Sequence, residues 1–537
     1  MPHQSEPDDT GQGPGTPDSR MKAWNYLLLF LFISAITFFY FSFTSNNLVA
    51  GFTSDDAVYL LLADLYSFRN TDDGMLYEFI RQQSYFPPVF PMVLGLLGGS
   101  SSSPALAASI NVVFMLAAIF IAGTWMAKEA GNTVVSIAIA AVIFFLPGTL
   151  ILAQELWSEF LFMAFLYGTL LLENKERPDS RNWLAMAVLT VLASLTRSAG
   201  IALIIAFCVI LLTRKVKSGM VYAVISVVPF LFWNLARETN PDSPGYLDAV
   251  TETLAGVSAG DMFDMLKTKI TSMLDSLRWL FTSIETNSLH QYFSITTLII
   301  FLLFAILGFS ARLRLARLDA VFIAAYMVIV FIWPYGDVYY VSRFLYPLLP
   351  LLFLYLVLGV IRLVNHKKQI VLVLTACLIS SIIIVYPSTK QFLQRGYADV
   401  PAELESYRRG RTWLLAPTLT GAVLQAQNTK FILDTLPIIR KIIPEQECVY
   451  TFQAPLVMLH ARRVAGILPA PEVNDDEFRE QTSECRFILA MPLGDPGGRY
   501  PDYYPAQRLS QDQYDVTSFY LNPDTHTGTR ILLYRRQ

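Results

Sequence analysis

The sequence predicts an α-helical polytopic membrane protein with a small extracytoplasmic α/β domain at its C-terminal end. Three observations predict it. Of 537 residues, 54% are hydrophobic and only 15% charged, with a mean hydropathy of +0.44, far more apolar than an ordinary soluble domain. Apolar runs near the length of a bilayer recur from Trp24 to Tyr386. Beyond them lie about 150 residues, the size of a small domain, in which β-like and helical stretches alternate.

The formal net charge of -3 shows no basic excess, and nothing resembles a nucleic-acid-binding motif, so that class is excluded. Four cysteines in so long a chain are too few for a disulfide framework, and no Cys/His spacing fits zinc. Residues 1–22 are expected to be a disordered cytoplasmic tail, since Met1 to Asp18 is rich in Pro, Gly, Asp and Ser and cannot bury a core. The first apolar run, Trp24 to Phe43, follows Arg20 and Lys22 as a signal peptide would. It has the length of a full span and no small-residue cleavage site, so it is expected to be retained.

Hydropathy gives about eleven spans in residues 23–386. They are Trp24 to Phe43, Pro104 to Met126, Thr133 to Leu150, Trp157 to Leu172, Trp183 to Leu195, Ala199 to Thr213, Met220 to Leu235, Phe293 to Phe309, Val321 to Trp333, Phe344 to Val360 and Ile370 to Tyr386. The fifth and sixth are each shorter than a bilayer, and one long kinked helix is the alternative. Basic residues collect on cytoplasmic loops, which decides between the two. With the N-terminus inside, the inner loops hold Lys128, then Lys175, Arg177 and Arg181, then Arg214, Lys215 and Lys217, then Arg312, Arg314 and Arg317, then Arg362, Lys367 and Lys368. Merging the two short spans would send the last three clusters outside, so they are kept apart.

Three outer segments are then too long to be mere connectors. Residues 44–103 contain the pair Asp55 and Asp56 and the proline-led run "YFPPVFPMVLGLLGG", which suits an interfacial or re-entrant helix. Residues 236–292 contain the amphipathic stretch "DMFDMLKTKITSMLDSLRWLF". Residues 387–537 form the expected α/β domain, with strand-like "CVYTF", "RVAGIL", "CRFILAM" and "TRILLYRR" and helical "DTLPIIRKIIP" and "NDDEFREQ". Cys448 and Cys485 open two of these strands and could pair if the strands are neighbours, although connectivity is not readable from sequence. Cys208 and Cys377 lie within spans and read as packing residues.

The outer face holds four stretches that could carry chemistry. In "GFTSDDAVYLLLADLY", Asp55 and Asp56 open a helix on which Tyr59 and Asp64 follow at helical spacing, with aromatic Phe52, Tyr66 and Tyr85 around them. Acids there are also favoured by the helix dipole, so position alone does not make them catalytic. The prolines of "YFPPVFPMVLGLL" pre-set a helix start, which is a structural role. In "LTRSAG", Arg197 interrupts two apolar runs, which marks either a site or a snorkelling end. In "YGDVYYVSRFLYPLLPLLF", Asp337 and Arg343 flank Tyr339 and Tyr340, against which stands the ordinary reading of an interfacial aromatic belt. Together these residues share one face of the membrane. The chemistry they fit is arginines neutralising a lipid-linked phosphate while a carboxylate takes the proton of an acceptor hydroxyl, that is, glycosyl transfer.

With these motifs the sequence resembles the membrane-embedded GT-C glycosyltransferases, in particular the branch of the protein O-mannosyltransferases and the aminoarabinose lipid A transferases. The matching features are "SDDAVY", "YFPPVFPMVLGLL", "LASLTRSAGIAL" and "SRFLYPLLPLLFL", in that order and on one topological side, over Trp24 to Tyr386. The resemblance implies a GT-C-like fold and a polyprenyl-phosphate sugar donor. It also implies a catalytic base at Asp55 with Asp56 beside it, and which of the two acts stays open. Arg343 and Arg197 would bind the donor phosphate, with Tyr59, Tyr85, Asp337 and Tyr340 also contributing to the donor site. Oligosaccharyltransferases of that fold use an Asp-x-Asp metal site, which the first outer loop lacks, so no obligatory metal and no cofactor is expected. The expected partners are the donor, a glycan, lipid or protein acceptor, and the bilayer. The expected location is a bacterial inner membrane, N-terminus cytoplasmic and C-terminal domain periplasmic.

Two rival readings remain. An O-antigen polymerase or ligase also has many spans, a large outer loop and functional arginines, but it does not account for the early acidic pair or the C-terminal domain. A lipid-linked sugar flippase or transporter should show paired helix interruptions in two halves, and no internal repeat is visible.

Overall fold

The computed structural model describes residues 17–44, 52, 54–67, 86–173, 179–236, 259–283, 288–333, 337–364, 366–407, 410–493, 504–509 and 513–537. The chain divides into two compact units, Met1–Phe43 and Thr44–Gln537. The first holds all but the last residue of the helix Pro17–Thr44, which is apolar from Leu31, with Phe39 stacked on Phe43 at 5.5 Å. The tail expected to be disordered to residue 22 is helical from Pro17. Proline at a first helical position leaves no donor unsatisfied, and the residues after Asp18 are good helix formers.

Among the described residues of the second unit, four helices are long and apolar enough to cross a membrane: Pro104–Ala130, Ser288–Arg314, Val338–Leu363 and Lys367–Gly396. Shorter apolar helices accompany them at Thr133–Phe145, Glu159–Leu172, Ser198–Thr213, Gly219–Leu235 and Leu318–Ile332. The chain is thus a multi-pass membrane protein. The expected run Thr133 to Leu150 is broken at Leu146, which is extended (ψ 135°) because Pro147 follows and disfavours helical backbone before it. The expected boundary at Tyr386 falls inside a helix that continues through Pro387 to Gly396. Thr389 Oγ1 donates to the Phe145 carbonyl at 2.7 Å, so a packed neighbour holds the helix just past its proline.

The two short runs around Arg197 are separate helices, Ser180–Ser194 and Ile201–Thr213. The Trp183 and Phe207 rings lie 6.1 Å apart. In one continuous helix those residues would be separated by about 36 Å at 1.5 Å per residue, so the chain doubles back. Gly200 permits the turn, since a Cβ there would stand 2.6 Å from Ser194 Cα.

Helices Ser288–Arg314 and Leu349–Leu363 touch backbone to backbone. A Cβ on Gly308 would lie 2.0 Å from the Tyr355 carbonyl oxygen, and one on Gly359 the same distance from that of Phe304. Three of the basic residues expected on inner loops meet buried acids. Arg312 binds Asp319 and Glu129 at 2.5 and 2.7 Å, Arg317 reaches Glu129 and Glu173, and Arg214 pairs with Glu173. Tyr355 Oη adds a hydrogen bond to Asp319 at 3.0 Å. Three cations against three carboxylates satisfy charges that would be costly to bury singly.

The C-terminal region carries a five-stranded sheet of order β2-β1-β3-β5-β4, with β1 Val449–Thr451, β2 Ala465–Ile467, β3 Phe487–Ala490, β4 Tyr514–Asn522 and β5 Thr527–Arg536. β1 pairs in parallel with β2 and β3, and β5 antiparallel with β3 and β4. Cys448 and Cys485, at the starts of β1 and β3, form a disulfide with Cα atoms 4.9 Å apart. One face of the sheet has its own core around Phe452, Phe478, Ile488 and Tyr504. The other joins a larger core in which Val457, Leu459 and Phe487 belong to one cluster with Leu60, Phe90 and Leu156. The C-terminal region therefore packs on the helix that opens with the acidic pair.

Candidate functional site

The helix Ser54–Tyr66 begins with Asp55 and Asp56 in its first turn, where its unpaired N–H groups favour carboxylates. Its next residues bury Ala57 to Ala63 almost completely. A second helix, Val89–Leu96, is set off by Pro87 and Pro88 and packs against it so closely that a Cβ on Gly95 would stand 2.5 Å from the Ala63 carbonyl. Val89 N–H donates to the Leu195 carbonyl at 3.0 Å, tying this pair of helices to the turn that carries Arg197.

Arg197 is extended (φ -145°, ψ 134°) between its two helices and 9% exposed. Arg343 sits in the helix Val338–Leu345, started by Asp337, whose Oδ1 accepts from the N–H groups of Tyr339 and Tyr340 at 2.9 and 3.3 Å. Asp337 thus serves as the helix cap.

These elements converge on Glu159, the first residue of the helix Glu159–Leu172, which is completely buried. Its Oε1 accepts from Arg343 Nε at 2.7 Å and lies 2.5 Å from Arg197 Nη1. Arg343 Nη1 in turn donates to Asp55 Oδ2 at 3.0 Å. Residues 55, 159, 197 and 343 therefore form one connected chain of alternating charge, two carboxylates and two guanidinium groups. Asp55 keeps 29% of its side chain exposed while Asp56 is 1% exposed, so Asp55 is the acid open to a ligand.

Aromatic rings hold the guanidinium groups in place. The Arg343 guanidinium carbon lies 3.2 Å from the Trp157 ring centroid and 6.0 Å from that of Tyr340, and that of Arg197 lies 5.2 Å from the Phe344 ring. Glu155 accepts from Trp157 Nε1 at 2.6 Å and from the Tyr339 hydroxyl, fixing the indole beneath Arg343. Tyr59 is buried against Phe86 and Phe90 and donates to Ser158 Oγ at 3.1 Å. Burial, followed by the nearby Asp55 carboxylate, pushes its phenol above the usual tyrosine range, so it remains protonated.

Of the residues expected at the site, Asp55 pairs with Arg343, and Glu159 joins Arg343 to Arg197. Tyr340 lies against Arg343, Tyr59 braces the adjoining Ser158, and Asp337 caps the arginine's helix. Asp56 is buried beside Asp55, and Tyr85 lies outside the described residues. The sequence reading missed Glu155, Trp157 and Glu159. Their signal was present in "QELWSEF", where two acids flank the outer start of an expected span, and an ionisable residue in such a place is a site candidate by default.

No family model and no curated protein matches the chain. Among solved structures it is similar to ArnT from Cupriavidus metallidurans bound to undecaprenyl phosphate, at 12% identity and a TM-score of 0.47 over 95% of this chain and 98% of that one. It is also similar to the oligosaccharyltransferase AglB from Archaeoglobus fulgidus in complex with an inhibitory peptide and a dolichol-phosphate. There the identity is 12% and the TM-score 0.47, over 88% of this chain and 70% of that one.

Proposed function

We propose that this protein is a glycosyltransferase that moves a sugar from a polyprenyl-phosphate-linked donor to an acceptor hydroxyl, with Asp55 as general base. The observation that carries the reading is the partly exposed Asp55 carboxylate joined through Arg343 and Glu159 to a second arginine, Arg197. The donor class follows from the motif resemblance.

In the reaction the acceptor oxygen attacks the anomeric carbon, the bond from that carbon to the phosphate oxygen breaks, and the acceptor proton passes to Asp55. One displacement inverts the anomeric carbon. The phosphate changes from a singly charged diester to a monoester carrying up to two negative charges. With Arg197, Arg343, Glu159 and Asp55 all ionised, the four charges sum to zero. Protonation of Asp55 leaves them at plus one as the phosphate gains its second charge. Arg343, paired with Asp55 in the free protein, is then released to the leaving phosphate. Proton transfer and leaving-group stabilisation are thereby coupled through one guanidinium. The proposal also takes in a glycan, lipid or protein acceptor, a bacterial inner membrane, and an external C-terminal domain that caps the cavity or helps select the acceptor.

The test uses purified protein in nanodiscs and a radiolabelled polyprenyl-phosphate sugar with a mixed acceptor extract. Wild type should transfer label, and Asp55→Asn should lower kcat by about 100-fold or more, the scale of a lost general base, with donor binding retained. Transfer at the wild-type rate by Asp55→Asn would move the role to another group. A wild type that binds donor but transfers to no acceptor would favour a flippase instead.

A further inference from the structure

We propose that Glu159 is a positioning residue that shares one carboxylate oxygen between Arg197 and Arg343 and so presets two guanidinium groups to take the donor phosphate together. The proposal rests on the glycosyl-transfer reading above. The two arginines reach the site from unrelated elements, one from a turn between helices and the other from the last turn of a short helix. Two buried guanidinium groups repel each other, and bringing them to one point requires a shared anion. Glu159 supplies it through Oε1 alone, at 2.5 and 2.7 Å, while Oε2 is buried without a hydrogen-bond partner among the described residues. Arg343 meets Glu159 by its Nε edge and Asp55 by Nη1, and its face is against Trp157. The fork is therefore oriented before any ligand arrives. A phosphate, with several acceptor oxygens, suits a pair of preset forks better than one flexible cation.

The proposal makes a prediction of sign. Glu159→Gln removes a negative charge from a site for an anion. If Glu159 only tuned the charge, affinity for a phosphate would rise. If it positions the arginines, affinity falls.

The measurement is binding of a polyprenyl monophosphate to the full chain in nanodiscs, together with donor KM and kcat, for wild type, Glu159→Gln, Glu159→Asp and the double variant Glu159→Gln/Arg197→Gln. Loss of the support behind a ligand-holding residue commonly costs about 10- to 100-fold, so Glu159→Gln should raise Kd and donor KM by about tenfold. The change in kcat should be smaller, and Glu159→Asp should recover part of the loss. Relative to Arg197→Gln measured alongside it, the double variant should lose less than Glu159→Gln loses relative to wild type, because only Arg343 is then left for Glu159 to position. Unchanged or tighter binding in Glu159→Gln overturns the proposal. So does a fall in kcat at constant KM that tracks the folded fraction, which is the mark of a structural role. A wild type that binds no polyprenyl monophosphate overturns the donor reading itself, and this proposal with it.

Discussion

Gly308→Ala tests the backbone contact between the helices Ser288–Arg314 and Leu349–Leu363. Gly308 lies in the helix Ser288–Arg314, and a methyl group there would stand 2.0 Å from the Tyr355 carbonyl oxygen and 2.9 Å from Tyr355 Cα. A carbon and an oxygen in ordinary contact are about 3.3 Å apart, so the two backbones must separate by about 1.3 Å. The obstacle is backbone within a helix, so no side chain can turn aside. Overpacking of this kind costs about 1–3 kcal/mol, and a backbone obstacle places this case at the upper end. Gly123→Ala is the matched control. Its methyl would meet only Ala140 Cβ at 3.9 Å, and the better helix propensity of alanine should stabilise by up to about 1 kcal/mol. The assay is thermal unfolding in one detergent, read by intrinsic fluorescence and by the monodisperse fraction after heating. Gly308→Ala should unfold several degrees below wild type and Gly123→Ala at or above it. Equal stability of the two variants would refute the close contact.

Reduction of the Cys448–Cys485 disulfide, or the double serine variant, should destabilise the C-terminal region. For a separation of 37 residues the chain-entropy model gives about 4 kcal/mol as the scale, checked by protease susceptibility with and without reductant. The His460 imidazole, pushed down to about 4 by burial with Arg462 beside it, stays neutral in the folded state. Its folded value lies below the unfolded value of about 6.5, so the unfolded chain binds more protons between the two. Stability is then full above about pH 6.5 and falls by up to about 3 kcal/mol as the pH drops to about 4. Melts across that window should show the slope in wild type and lose it in His460→Gln. Arg312→Gln would strip Asp319 of its guanidinium partner while Glu129 keeps Arg317, leaving the buried cluster one cation short at a cost of about 3–5 kcal/mol, and Arg312→Lys should recover little because Asp319 is held by both Nε and Nη2. The folded yield from membranes would report both.

Much of the architecture was legible because it rests on local pattern. Hydropathy located the apolar helices, and the placement of basic residues kept the short runs around Arg197 apart, as the Trp183–Phe207 contact requires. Alternation found four of the five strands. It missed β4, whose burial pattern is largely exposed and gives hydrophobicity nothing to alternate. The span expected to end at Tyr386 continues through Pro387 to Gly396, held there by its surroundings, which no local rule anticipates.

For the site, sequence alone determined the kinds of residue and their local settings: an acidic pair at a helix start, and two arginines at the ends of apolar runs. Their partners were decided only by the tertiary structure. Asp55 and Arg343 stand 288 positions apart, and Glu159 joins Arg343 to Arg197 across three separate elements. Asp55 and Asp56 are indistinguishable as letters, yet the fold exposes one and buries the other. The physical reason is that charge pairing and burial depend on distance in space, whereas helix starts, turns and hydropathy depend on neighbours along the chain.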